Sequence, residues 1–152
     1  MNRGNGLASV ALILSVLALL VAGWGYLSRP RAAPTAAAPA RVALSMIVAT
    51  FSGQGVFAHR WYPTMMVVRE GDTVDLAVAN PDQVTHQLEI VTPNGTAIRS
   101  KALAPGASDR LTLVADQVGV YEYHCALPYD PARGQCTPDH EQMRGYLIVT
   151  GR

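Results

Sequence analysis

Residues 119–150 read GVYEYHCALPYDPARGQCTPDHEQMRGYLIVT, and this stretch decides how the rest of the chain is read. It opens and closes as strand: Val120 to Cys125 and Gly145 to Thr150 are rich in the β-branched and aromatic side chains that suit a pleated surface. In Tyr121-Glu122-Tyr123-His124-Cys125 the period of two puts Cys125 on one face with Tyr121 and Tyr123, and turns His124 to the other. Between the strands lies Cys136-Thr137-Pro138-Asp139-His140-Glu141-Gln142-Met143, a cluster of thiol, imidazole and thioether just before the last strand.

Working back from there, the same strand signal recurs. Ala43 to Thr50 is apolar and β-branched. Met65 to Arg69 follows Pro63, Thr73 to Ala79 alternates strictly, and His86 to Val91 and Ser108 to Val114 complete the series. Turn residues separate them: Glu70-Gly71-Asp72, Asn80-Pro81-Asp82, Pro93-Asn94-Gly95, Pro105-Gly106 and Gln117-Val118-Gly119. Short strands at that spacing, without a long helical period, predict a β-sandwich. His86 shares its face with Leu88 and Ile90, so it is expected to face the core.

Ahead of the sandwich stands a different composition. After a short tail, residues 1–6, Leu7 to Leu27 form 21 residues without a charge, ending in Trp24 and Tyr26. About 20 apolar residues as a helix cross a bilayer's hydrocarbon core, so 7–27 is expected to be a single transmembrane anchor. A cleaved signal peptide is the rival, with Ala38-Pro39-Ala40 as a small-x-small site, but the apolar run is long for one. Residues 28–40, SRPRAAPTAAAPA, read as a semi-extended spacer, leaving 41–152 as the folded domain. Arg3 with the amino terminus faces Arg29 and Arg31 across the membrane, and the tiny tail and the chemistry below favour the periplasmic or extracellular side as the expected location of the domain, with the anchor in the cytoplasmic (inner) membrane. The chain's net charge of +1 argues against nucleic acid, and its 7% aromatic and only 15% charged residues argue against disorder.

Thiolate, imidazole and thioether together form a soft donor set. Zinc seldom uses Met and calcium and magnesium want oxygen, whereas copper accepts this mixture in both of its common oxidation states. His86, Cys125, Cys136, His140 and Met143 are therefore the residues that could offer such donors. Taken one at a time, each has an ordinary structural reading: His86 and Met143 as core, Cys125 and Cys136 as a disulfide closing a short loop. His59 and His124 read as surface or packing residues. No Gly-rich phosphate loop or nucleophile elbow appears, so the chain reads as a carrier or binding module rather than a catalyst on its own.

The sequence resembles the cupredoxins, and most of all the copper-A domain of haem-copper (cytochrome c) oxidase subunit II in its single-anchor version. The resemblance runs from about Trp61 to Val149. It rests on PTMMVVREGD at 63–72, NPDQVTH at 80–86, LAPG at 103–106, GVYEYHC at 119–125 and Cys136-x3-His140-x2-Met143-x-Gly145. It implies an all-β, Greek-key sandwich in which Cys125 and Cys136 bridge two coppers. His86 and His140 would each bind one, and Met143 would be a weak ligand. It also implies a backbone carbonyl ligand from between the cysteines, which is Leu127 counting forward from Cys125 and Gly134 counting back from Cys136.

One departure from the family stands out: ten residues separate the cysteines here, where the family has three. The alternatives that follow are a mononuclear, type 1-like electron carrier, or a copper-delivery module with a Cys125–Cys136 disulfide. The expected partners are a soluble donor such as cytochrome c and an integral haem-bearing oxidase subunit. Trp61-Tyr62 either lines the donor's approach or belongs to the core.

Overall fold

The computed structural model describes residues 16–24, 26–28, 37–53 and 56–152. The chain divides into residues 1–36 and 37–152. In the first, residues 16–24 and 26–27 are helical. The expected anchor, 7–27, and spacer, 28–40, both lie partly outside the described residues. Among those described, no helix is long and apolar enough to cross a membrane.

The second unit is an all-β sandwich. Its strands are β1 (Arg41–Gly53), β2 (Val56–Tyr62), β3 (Met65–Arg69), β4 (Thr73–Ala79), β5 (Leu88–Val91), β6 (Ala97–Arg99), β7 (Ser108–Val114), β8 (Gly119–Cys125) and β9 (Arg144–Thr150). They form a four-stranded sheet, β2-β1-β4-β7, facing a five-stranded sheet, β3-β9-β8-β5-β6. The β1–β4 and β3–β9 pairs are parallel and the rest antiparallel. Alternate residues fill the space between: Val74, Leu76 and Val78 from β4, Leu111 and Leu113 from β7, Tyr121 and Tyr123 from β8, Leu147 and Val149 from β9. Here the period of two read from sequence and the buried face coincide.

Three strands, β3, β4 and β7, have the boundaries their sequence predicts. β2 and β6 were not expected. β2 (VFAHRWY) carries His59 on the face of buried Trp61, where an alternating apolar pattern would place a core residue, and Arg60 beside it on the other. It pairs with β1 from Ile47↔Tyr62 to Gly53↔Val56 and lies at the sheet's edge. Both polar side chains find a partner in Asp139, 80 and 79 residues away, a compensation no local pattern reveals. β6 is three residues long and closes a short hairpin with β5. His86 itself stands just before β5, held by a two-way backbone pair with Leu103 (3.1 and 2.7 Å).

The register sorts the ends of the sandwich. Arg41 lies beside Thr73 and Gly119 opposite Val149, whereas Ile47 lies beside Ala79 and Cys125 opposite Leu88. Residue 40 therefore enters the sandwich at the end opposite Cys125. Asp72 fixes that entrance: its carboxylate accepts the Ala40 and Arg69 N–H groups (2.9 and 3.0 Å) and pairs with Arg152. The Ala40 N–H is the foremost of the contacts that hold the Asp72 carboxyl below the ordinary range.

Candidate metal centre

At the end of the sandwich away from residue 40, three ligand-bearing segments converge. β8 delivers Cys125, the segment before β5 delivers His86, and the segment before β9 delivers Cys136 and Met143. His86, Cys125 and Cys136 bring their donor atoms within 4.8 Å of one another, all buried. Cys125 Sγ lies 3.3 Å from Cys136 Sγ and 3.9 Å from His86 Nδ1, and Met143 Sδ lies 3.8 Å from Cys136 Sγ. The two thiols are free. His140 sits at the margin: it shares a cavity of about 270 Å³ with Cys125, His124 and Glu89, and its Nε2 lies 3.3 Å from Glu141.

How ten residues return the second sulfur to the first is answered by the loop's own hydrogen bonds. Asp130 and Gln135 exchange both backbone bonds (2.9 Å each), so residues 130–135 form a closed hairpin. Pro131–Arg133 makes one 3₁₀ turn inside it, with the Asp130 side chain accepting the Arg133 N–H and Gly134 left-handed at φ 61°. A closed hairpin adds sequence without adding span, so the path between the cysteines runs through Ala126–Tyr129 and across the Asp130–Gln135 pair. Thr85 then pins the return: its N–H donates to Gly134 O and its carbonyl accepts the Cys136 N–H, both at 2.9 Å, setting Cys136 beside His86. Cys136 adopts a left-handed φ of 50°, a conformation that non-glycine residues keep only where the surroundings impose it.

This geometry yields a direct expectation. Replacing Pro131–Gly134 with Asn-Gly keeps the Asp130–Gln135 pair and a glycine carbonyl for Thr85, and closes the hairpin with two residues. Visible absorption and thermal melting of the metal-loaded chain should match those of the parent, with stability within about 1 kcal/mol. A changed spectrum would mean that the hairpin's length, not its closure, shapes the site.

The two carbonyls that the sequence left open are now distinguishable. Gly134 O accepts the Thr85 N–H, whereas Leu127 O lies 3.8 Å from Cys125 Sγ. Trp61 is fully buried and meets the His86 ring edge-on, centroids 6.2 Å apart, while Tyr62 is exposed. Of that pair, Trp61 is core.

The electrostatics favour a cation. The hydrogen bond from Cys136 does most to lower the Cys125 thiol, down to about 4, and His86 assists it against the effect of burial. The same contact pushes the Cys136 thiol well up, because a second anion 3.3 Å from the first would be unshielded. Burial works against a charged His86, but contacts with Cys125 and Asp82 outweigh it and raise its pKa. Cys125 and Cys136 would both be able to ionise if they held a soft cation, whose charge would remove that conflict. Two thiols, one imidazole and one thioether, buried and turned toward one another, thus fit copper.

Sequence reasoning missed three contributors here. Asp82, read only as a turn residue, places Oδ2 2.8 Å from His86 Nε2. His59 and Arg60, on an unrecognised strand, both reach Asp139. The i,i+4 spacing of Asp82 and His86 was the available signal.

A cupredoxin-like domain model matches residues 17–137. That span stops short of His140 and Met143. Among solved structures, dithionite-reduced auracyanin from the photosynthetic bacterium Roseiflexus castenholzii superposes with a TM-score of 0.52 at 17% identity, covering 72% of this chain and 97% of that one. Auracyanin A, a "blue" copper protein from Chloroflexus aurantiacus, gives 0.52 at 18% identity over 72% and 99%. The copper-containing nitrite reductase of Thermus scotoductus gives 0.50 at 28% identity, over 76% of this chain but only 28% of that one. The auracyanins share the fold. No curated protein sequence matches the chain.

Proposed function

Because the chain belongs to the cupredoxin-like domain family, we propose that it is a copper protein carrying single electrons, with His86, Cys125, Cys136 and Met143 as the residues that would hold the metal. The observation that carries this reading is the buried pair of thiols 3.3 Å apart, flanked by His86 Nδ1 and Met143 Sδ. Copper is also the metal of the nitrite reductase to which the chain is 28% identical. Copper supplies the one-electron couple. The protein's part is to hold mixed nitrogen and sulfur donors that suit both oxidation states, so that little moves when the charge changes. Burial keeps water from the sulfurs, and the hydrogen-bonded hairpin and the Thr85 pair keep Cys136 in place.

Our reading is the binuclear one. Beyond the four clustered donors, Leu127 O lies near Cys125 Sγ and His140 borders the same cavity as Cys125, a donor supply that exceeds one copper's needs. The mononuclear reading is favoured by a separate observation: His140 lies outside the group of His86, Cys125 and Cys136 whose donor atoms fall within 4.8 Å, and Met143 Sδ, 3.8 Å from Cys136 Sγ, makes the fourth donor. Copper content with EPR of the full chain decides. Two coppers per chain with the unpaired electron shared equally between two nuclei supports the copper-A form; one copper with the electron on one nucleus supports the type 1-like form. No stoichiometric copper overturns both.

On the binuclear reading the chain is the electron-accepting subunit of a terminal oxidase. Residues 7–27 would tether it to the inner membrane with the domain on the periplasmic side, receiving electrons from a soluble donor such as cytochrome c and passing them to a haem-bearing subunit. Co-purification of haem with the chain from native membranes supports this assembly, and its recovery free of any haem subunit counts against it.

A further inference from the structure

His86 is held from behind. Its ring is fully buried, with Nδ1 toward Cys125 and Nε2 2.8 Å from Asp82 Oδ2. The same Asp82 oxygen lies 3.8 Å from His59 Nε2. His59 in turn places Nδ1 3.0 Å from Asp139 Oδ1 and donates its backbone N–H to Asp139 Oδ2 at 2.8 Å. Asp139 also accepts from Thr137 Oγ1 (2.7 Å) and Arg60 Nη1 (3.0 Å). Asp82 is fixed at its base by Asn80, whose Oδ1 accepts the Asp82 N–H and whose Nδ2 donates to Val84 O and Leu103 O.

We propose that Asp82 is a positioning residue that orients the His86 ring toward the metal and makes it a more basic donor, and that His59 braces Asp82 against Asp139. This rests on the copper reading above and goes beyond it by assigning residues outside the ligand set. Donation from Nε2–H to the carboxylate fixes the tautomer that leaves the Nδ1 lone pair facing Cys125. A carboxylate behind the ring raises donor strength and so favours the more highly charged metal. The brace has a second consequence: Asp82 lies four residues before His86, while Asp139 lies between Thr137 and His140. His59, from β2 in one sheet, therefore ties together the two ligand-bearing segments that precede β5 and β9 in the other.

The test is the reduction potential and EPR hyperfine splitting of the copper-loaded full chain, with thermal melting as the control for folding. Asp82→Asn keeps the shape and removes the charge. It is expected to shift the Cu(I)/Cu(II) balance about tenfold toward Cu(I), a rise of ~59 mV for one electron. Asp82→Glu, which restores the carboxylate, should shift the potential less. His59→Gln should move it in the same direction by a smaller amount. A folded Asp82→Asn chain with the parent's potential and hyperfine splitting overturns the proposal. If that variant does not fold, His59→Gln carries the test, and a parent-like potential and hyperfine splitting there overturn it. A parent chain that takes up no copper is a separate result, visible before any variant is made, and it removes the function proposed above together with this inference.

Discussion

Cys125→Ser is expected to abolish the thiolate-to-copper absorption of the copper-loaded chain and to lower copper affinity by at least about 100-fold, beyond the 10–100-fold typical of losing a residue that only supports a ligand. The reason lies in where the sulfur sits. Cys125 ends β8 with its side chain on the buried face, and its sulfur is the hub of the cluster: Cys136 Sγ at 3.3 Å, His86 Nδ1 at 3.9 Å and Leu127 O at 3.8 Å all meet there. A serine hydroxyl in that place stays protonated at neutral pH and is a hard donor, so it supplies neither the negative charge nor the softness that copper takes from the thiolate. Cys136→Ser separates the two nuclearities. In the binuclear reading it ends the sharing of the electron between two nuclei. If instead the Cys136→Ser chain keeps the parent's spectrum, Cys136 is not a ligand. Absorption titration with copper and EPR of the three chains give the answer.

The largest effect on stability is expected away from the metal donors, at Gly145 on β9. A Cβ there would meet Tyr123 Cε2, Cζ and Oη at 2.3, 2.4 and 2.5 Å. Tyr123 cannot give way: it is fully buried between the sheets, and its hydroxyl donates to Pro63 O at 2.5 Å. Burial of that hydroxyl pushes its pKa up to about 12, so it stays a donor across the accessible pH range. Gly145→Ala must therefore either displace β9 from β8 or drive the tyrosine off its hydrogen bond. Overpacking costs about 1–3 kcal/mol and a lost buried hydrogen bond about 1 kcal/mol more. The sum, about 3 kcal/mol, is of order 10 °C in melting temperature for a domain of this size. Thermal melting of the metal-free chain tests this without interference from copper; a shift under about 2 °C would mean that the strands adjust freely at this position. Gly145 follows Met143 by two residues, so any displacement of β9 should also loosen the metal donors.

Much of this was legible beforehand. The strict alternation of Val74, Leu76 and Val78 gave β4 to the residue, because a half-buried strand needs nothing but a period of two. The inward face of His86 and of Cys125 followed from the same rule. β2 was not legible. Its interior holds His59 and Arg60, whose side chains both reach Asp139, 80 and 79 residues further on. Polar satisfaction across such a separation leaves no local trace. The candidate site shows the same division. Residue types and the Cys136-x3-His140-x2-Met143 spacing pointed to copper, but the ten-residue gap between the cysteines left open whether the sulfurs meet.

By itself, then, the sequence determined the sandwich, the buried faces of its strands and the chemical softness of the ligand set, since periodicity and side-chain chemistry are local properties. Tertiary structure alone decided that the two sulfurs lie 3.3 Å apart, through the Asp130–Gln135 hairpin and the Thr85 pair. It alone placed Leu127 O rather than Gly134 O near Cys125, left His140 at the margin, and set Asp82 and His59 behind His86. The physical reason is that residues 85, 125 and 136, and His59 with Asp139, meet only when the sheets close on one another, while the local turns around Leu127 and Asp82 take their shape from the segments that hold them.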